Sequence, residues 1–219
     1  MPDNLHVRAT AEQYDAYTAE GIDPWDKLLT ARLLAEKRTR ARGGTLVDVG
    51  AGTAVFLVKL SGETAADDLE LIATDYFDDM LDAARRRIAD HGLESRIRVE
   101  RQDVHAMSYP DGYARYIVSR STIHHWADPV QALREIHRVL EPKGVALIHD
   151  VRRDAPAALI ERLDGLRREA GIGPMLLDEK YTADEVKRMC DEAGIGHCAR
   201  VFTSKSGPGT LGFELRITG

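Results

Sequence analysis

From Thr45 onward the apolar positions follow two rhythms that take turns along the chain. Short apolar runs at Thr45–Val49, Leu69–Thr74 and Tyr113–Ser119 read as strands. Arg96–Arg101 sets Ile97 and Val99 between charges, as a half-exposed edge strand does. Val145–His149 is almost continuously apolar and predicts a central strand. Between the runs the period lengthens. A helix begins near Thr53, and another runs from Phe77 to His91 with Met80, Ala84 and Ile88 stacked on one face. A third runs from Pro129 to Leu140, with Leu133, Ile136 and Leu140 inward, and stops at Glu141-Pro142-Lys143-Gly144. Repeated βα units of this kind predict an α/β fold with a doubly wound, mostly parallel sheet.

The flanks differ in rhythm. A short helix over Ala11–Ala19 puts Tyr14 and Tyr17 on one face, and Asp23-Pro24 is an N-cap and first-turn signal for the next. Leu29 and Leu33 form its apolar stripe before Gly43-Gly44 end it. These helices precede the first strand, so they pack outside the sheet or over its mouth. Beyond Asp150, Pro156 opens a helix, Gly171-Ile172-Gly173-Pro174 breaks the chain, and Thr182-Ala183-Asp184-Glu185 is a capping box. His197–Phe202 and Leu211–Ile217 alternate as strands around a Gly-rich turn, so a seven-stranded sheet ending in an antiparallel hairpin is expected. The division that follows is an N-terminal helical cap over 1–44 and a main domain over 45–219, with a helical lid inserted at about 151–181.

Composition trims the functional options. The 219-residue chain carries a net charge of −6, which argues against nucleic acid as a partner. Arg85-Arg86-Arg87 shares its helix with Asp82 and Asp90 and reads as a solvated face. No apolar run approaches a membrane span and no opening segment resembles a signal peptide, so a cytoplasmic protein is expected. Cys190 and Cys198 lack CxxC spacing and a His or Cys cluster, which predicts reduced thiols and no metal.

The chemistry centres on Leu46 to Ala54, where an apolar run leads to Asp48, Gly50 and Gly52 and then to a helix. Glycine at such a turn lets the backbone approach a ligand closely, although a plain β-turn is the simpler alternative. Ligands of open α/β sheets bind beyond the C-terminal ends of the strands. Those ends carry Gly50 and Gly52, then Asp75, then Asp103, then Ser119-Arg120-Ser121. Two acidic residues around the ring of Tyr76 describe a nucleoside pocket. The dinucleotide pattern needs a third glycine where Val55 stands, and the Gly-Lys-Ser/Thr phosphate loop is absent.

With these residues in order, the chain resembles a class I S-adenosylmethionine-dependent methyltransferase of the small-molecule type, a Rossmann-like fold. The resemblance rests on Asp48-Val49-Gly50-Ala51-Gly52-Thr53, Asp75, Asp103-Val104 and Leu140-Glu141-Pro142-Lys143-Gly144, and covers roughly Thr45 to Asp150. Ala54 departs mildly from the family, where many members have glycine. The resemblance implies that Gly50, Ala51 and Gly52 pass beneath the cofactor's methionine portion, with Asp48 orienting its ammonium. It implies that Asp75 holds the ribose hydroxyls, Tyr76 and Met80 line the adenine, Asp103 and the N–H of Val104 meet its edge, and Ser119 lies near the amino acid end.

Methyl transfer from a sulfonium requires alignment and exclusion of water, and a base only where the acceptor must lose a proton. His124 and His125 are candidates for that base, with neither preferred and a packing or capping role open for both. Tyr14, Tyr17, Arg120 and Arg152 are candidate acceptor contacts. The acceptor expected is a small metabolite, with O, N, C or S left open, and a homodimer through the N-terminal helices and the lid is compatible. Two rivals remain: another transfer from the same cofactor, and a cofactor-binding regulatory module without turnover.

Overall fold

A computed structural model describes residues 10, 12–13, 16–17, 23–40 and 43–219. Five strands alternate with helices in the first part: β1 (Gly44–Val49), β2 (Leu69–Asp75), β3 (Ile97–Arg101), β4 (Ala114–Arg120) and β5 (Leu140–Val151). Helix α1 (Asp23–Arg40) precedes them; α2 (Val55–Leu60), α3 (Asp78–Asp90) and α4 (Pro129–Val139) connect them. Then come α5 (Ala157–Glu169), α6 (Ala183–Glu192), β6 (Ala199–Thr203) and β7 (Gly212–Thr218). The sheet order is β3-β2-β1-β4-β5-β7-β6. Neighbours from β3 to β5 are parallel, and β7 runs antiparallel to both β5 and β6. The chain thus has the expected doubly wound sheet with its antiparallel end.

Strand alternation sends successive side chains to opposite faces, and each face has its own core. Leu46, Leu71, Tyr116, Val118 and Leu147 pack with Leu29 and Leu33 of α1, Leu57 of α2 and Ile88 of α3. Val47, Ile72, Ile117, Ala146 and Ile148 pack with Leu133 and Ile136 of α4 and with Val186 and Cys190 of α6. A third cluster joins Tyr17 and Trp25 to Val151, Ile160, Leu163, Ile172 and Met175. The N-terminal segment and the 151–181 stretch therefore pack against each other.

Several boundaries depart from the sequence expectation, each for a local reason. Helix α2 starts at Val55 rather than Thr53 because Ala54 takes a left-handed backbone, φ 59°. Strand β5 begins at Leu140 rather than Val145. Its first residues form a bulge: Ala114 faces Leu140 while Tyr116 faces Val145, with Lys143 at φ 68°. The break signal at Glu141–Gly144 was real, but it ends the helix by turning directly into the sheet. At α6, Thr182 caps the backbone N–H of Glu185 and the Glu185 carboxylate accepts from the N–H of Thr182, as the capping box predicted.

Ile136 is fully buried between α4 and the sheet. Ile136→Ala should cost about 2–5 kcal/mol, read as a lower denaturant midpoint at unchanged m-value.

Candidate functional site

Strand β1 delivers its end residues to a turn held on three sides. Gly50 and Gly52 sit at φ 70° and φ 56°, conformations that suit glycine and strain any residue with a Cβ. Ala54 adopts the same region without that freedom, at about 1–2 kcal/mol. The N–H of Ala51 donates to the carbonyl of Thr74 at 2.8 Å, and the N–H of Gly52 to Asp75 Oδ2 at 3.0 Å. Asp75 Oδ1 accepts from the N–H of Phe77 at 3.0 Å, so one carboxylate ties the turn to the end of β2.

Asp48 lies just before this turn and is fully buried in the sheet. Burial pushes its carboxyl up to about 7; Arg120 opposes this, while Asp26 and Asp75 add to it. Tyr76 leaves its ring partly exposed, with the Arg101 guanidinium 5.3 Å from its centroid. Met80 is buried on α3. Asp103 Oδ1 accepts from the N–H of His105 at 2.9 Å and meets His105 Nδ1 at 2.6 Å. Its carboxyl lies below the ordinary range: burial works against this, and the two His105 contacts outweigh it. His105 Nε2 in turn accepts from the N–H of Asp128 at 3.1 Å, which leaves Nδ1 as the donor to Asp103. Val104 packs half-buried against the α4-side core.

The loop after β4 is pressed onto the glycine turn. A methyl group at Gly50 would lie 2.6 Å from Thr122 Cγ2. Ser119 Oγ donates to the carbonyl of Val49 at 2.8 Å and also contacts Thr122 Oγ1. Ser121 takes φ 58°, a second strained position at this mouth. Arg120 is buried and turned toward α1, its Nε 2.9 Å from Asp26 Oδ1, while Asp26 Oδ2 accepts from Lys59 Nζ at 2.9 Å. Asp26 thus links α1, α2 and β4 at the strand ends.

Farther along the loop, His124 Nδ1 lies 2.7 Å from Asp150 Oδ2, with both side chains almost fully buried. The ring of His125 sits 3.9 Å from that of His124. His125 keeps surface exposure, while partial desolvation and then its neighbour His124 lower its imidazole below the ordinary value. Lys180 is buried too; burial lowers its ammonium to about 8 while Asp150 pulls the other way. The Asp150 carboxyl stays below its ordinary range although burial opposes this, because His124 and Lys180 favour the ionised form. Arg152, at the end of β5, places Nη1 3.4 Å from Asp154 Oδ2 and its backbone beside Tyr181. Tyr17 is buried with the Arg167 guanidinium 5.7 Å from its ring centroid. Tyr14 lies outside the described residues.

The topology therefore brings Asp48, Gly50, Ala51, Gly52, Asp75 and Ser119 to one mouth, with His124 and His125 on the loop pressed against it. Sequence reasoning missed Asp26, His105, Asp150 and Lys180. Asp150 was legible as a carboxylate at a strand's C-terminal end; Asp26 meets Arg120 and Lys59 only through tertiary packing, and His105 joins its near neighbour Asp103 to the distant Asp128. Among the described residues no group of three or more His, Cys, Asp or Glu is placed to hold a metal ion, and no helix is long and apolar enough to cross a membrane.

The sequence pattern of a methyltransferase domain matches residues 47–148. An uncharacterized chloroplastic methyltransferase of Arabidopsis thaliana is 33% identical over 119 residues, 52% of this chain and 33% of that protein. A demethylmenaquinone methyltransferase of Deinococcus radiodurans is 31% identical over 125 residues, 57% of this chain and 48% of the relative. The chain thus spans a third to about half of the length of these two relatives. A crystal structure of a SAM-dependent methyltransferase from Aquifex aeolicus superposes with TM-score 0.68 over 92% of each chain at 23% identity, a likeness of fold.

Two outcomes follow from the turn. Ala54→Gly relieves a left-handed alanine and should raise stability by about 1 kcal/mol in denaturant titration. Asp48, with its folded value above the unfolded one, holds an extra proton in the native state between about pH 4 and 7. Its contribution to stability therefore falls as pH rises through that window. Between pH 4.5 and 7.5 the wild type should lose more stability than Asp48→Asn, by an amount on the order of a few kcal/mol, as urea midpoints at the two pH values will show.

Proposed function

We propose, from the match of residues 47–148 to the pattern of a methyltransferase domain, that the chain transfers a methyl group from S-adenosylmethionine to a small-molecule acceptor. The observation that carries the reading is the tie between the N–H of Gly52 and Asp75 Oδ2, which sets a carboxylate at the rim of a glycine turn. A nucleoside's ribose suits that carboxylate, and a methionine chain suits the bare backbone beside it.

The buried carboxyl of Asp48 supplies the fit test. Its upward shift comes first from burial, and an ammonium arriving there would favour the ionised form. The cofactor itself, when bound, supplies an electrophilic methyl group on a sulfonium. The chain's part is to bind and to align. In this reading Asp48 orients the ammonium, Gly50, Ala51 and Gly52 pass beneath the methionine portion, and Ser119 presents its backbone to the same end. Asp75 takes the ribose hydroxyls, Tyr76 and Met80 flank the adenine, and Asp103 with the N–H of Val104 meets its amino edge.

Residues 1–44 act as a cap and 45–219 as the cofactor-binding domain, with 151–181 as a lid. The apolar cluster of Tyr17, Trp25, Ile160, Leu163 and Met175 supports this, since it would keep water from the acceptor. Tyr17 and Arg152 belong to the acceptor side, as does Tyr14. Arg120 is placed on the acceptor side as well, with its Nε turned toward Asp26. His124 and His125 stand nearest the acceptor's reacting atom. The surplus of acid over base and the family's small-molecule members favour a metabolite over nucleic acid. The free thiols of Cys190 and Cys198 suit a reducing compartment such as the cytoplasm.

Calorimetric titration with S-adenosylmethionine and its demethylated product is the test. Micromolar binding should weaken at least tenfold in Asp75→Ala, with NAD binding neither protein. Absence of binding to the wild type, or tighter binding of NAD, would overturn the reading.

A further inference from the structure

The adenine end of the proposed cofactor site carries a histidine that the methyl-transfer reading leaves unused. His105 lies two residues past Asp103 and bonds in two directions, to that carboxylate and to the start of α4. We propose that His105 is a positioning residue for nucleobase recognition: it fixes the Asp103 carboxylate so that one oxygen meets the base as a pure acceptor, and so makes the site select a 6-amino purine over a 6-oxo purine. The proposal deepens the methyltransferase reading and rests on it.

Both contacts between His105 and Asp103 fall on the same oxygen. Oδ1 accepts from the His105 backbone N–H at 2.9 Å and meets ring Nδ1 at 2.6 Å. Among the described residues nothing donates to Oδ2, and the Asp103 side chain is 44% exposed, so that oxygen is open to a ligand. One bond would let the carboxylate plane swing about it. Two bonds from different directions fix the plane, and with it the direction of Oδ2.

The ring is oriented in turn from α4. Its Nε2 accepts from the N–H of Asp128, the N-cap of that helix, at 3.1 Å. Gln131 Nε2 donates to the His105 carbonyl at 3.2 Å, while the Gln131 N–H donates to Asp128 Oδ1 at 2.9 Å. The loop after β3 is thereby clamped to the first turn of α4. Nε2 needs its lone pair to meet the Asp128 N–H, so the proton sits on Nδ1. Donors then point the same way along the run, from helix to ring to carboxylate, and each bond strengthens the next.

The recognition follows from the charge state. Partial burial works against ionised Asp103, and the His105 contacts outweigh it. An ionised carboxylate only accepts hydrogen bonds. It pairs with the exocyclic amino group of adenine and opposes the carbonyl that replaces it in hypoxanthine.

The test is calorimetric titration of the protein with S-adenosylhomocysteine and with S-inosylhomocysteine, its 6-oxo counterpart. The wild type should bind the amino compound tighter by about 30-fold or more. His105→Leu should shrink that ratio by about fivefold or more, whereas His105→Asn, whose amide keeps a donor near the place of Nδ1, should stay within about twofold of the wild-type ratio. A merely structural role would weaken both ligands alike and leave the ratio unmoved. Independently of any ligand, long-range ¹H–¹⁵N correlation on histidine-labelled protein should show His105 as the Nδ1–H tautomer at pH 7.5. Equal affinity of the wild type for the two compounds, an unchanged ratio in His105→Leu, a ratio in His105→Asn as low as in His105→Leu, or an Nε2–H tautomer would overturn the proposal alone. Binding of neither compound by the wild type would sink the methyltransferase reading and the proposal with it.

Discussion

A hydrogen atom in place of a side chain at Gly50 lets the loop after β4 lie directly on the turn after β1. Any Cβ there would run into Thr122, at 2.6 Å from its methyl carbon. The hydrogen bond from Ser119 Oγ to the carbonyl of Val49 closes the same seam. Because of this contact, groups on two different strand ends share one mouth: the carboxylates of Asp48 and Asp75 on one side and the paired histidines on the other. The left-handed backbones of Ala54 and Ser121, both non-glycine, flank the seam and show where packing overrides local preference.

Charge at the mouth is divided by depth. Asp48 is buried, with Arg120 the cation that favours its ionised form, and that cation also meets Asp26. At the end of β5, Asp150 is hydrogen-bonded to His124, and Lys180 favours its ionised form. The first arrangement leaves a carboxyl poorly compensated, and the second leaves an imidazole with its second nitrogen uncommitted. Both are costly in an apolar interior and contribute little to folding, which suits the ligand-binding roles proposed for them.

Much of this was legible in the sequence, for physical reasons. Period-2 apolar runs cannot bury themselves except in a sheet, and the helices between them force parallel pairing, so Val47, Ile72 and Ile117 announced the core on their own. The strand-end rule then located Asp75 and Asp103. Pairings across long sequence separation were not legible: Asp26 with Arg120, His105 with Asp128, His124 with Asp150. No local pattern encodes them, because each partner lies on a different element and meets the other only when the sheet is assembled. The bulge at Lys143 escaped for a related reason: Pro142 read as an end to structure, whereas the edge of β4 recruits the segment into the sheet.

The sheet order also dictates a sequence of events during synthesis. β6 is made before β7, yet it touches the sheet only through β7. While the ribosome is still adding residues 199–211, the outer edge of β5 from Val145 to Val151 has no strand to pair with. For that interval a nascent chain presents an apolar, unpaired edge of the kind that invites pairing between neighbouring polysomal copies. A pause in translation before Gly212 would prolong that exposure, and swift completion of β7 would end it.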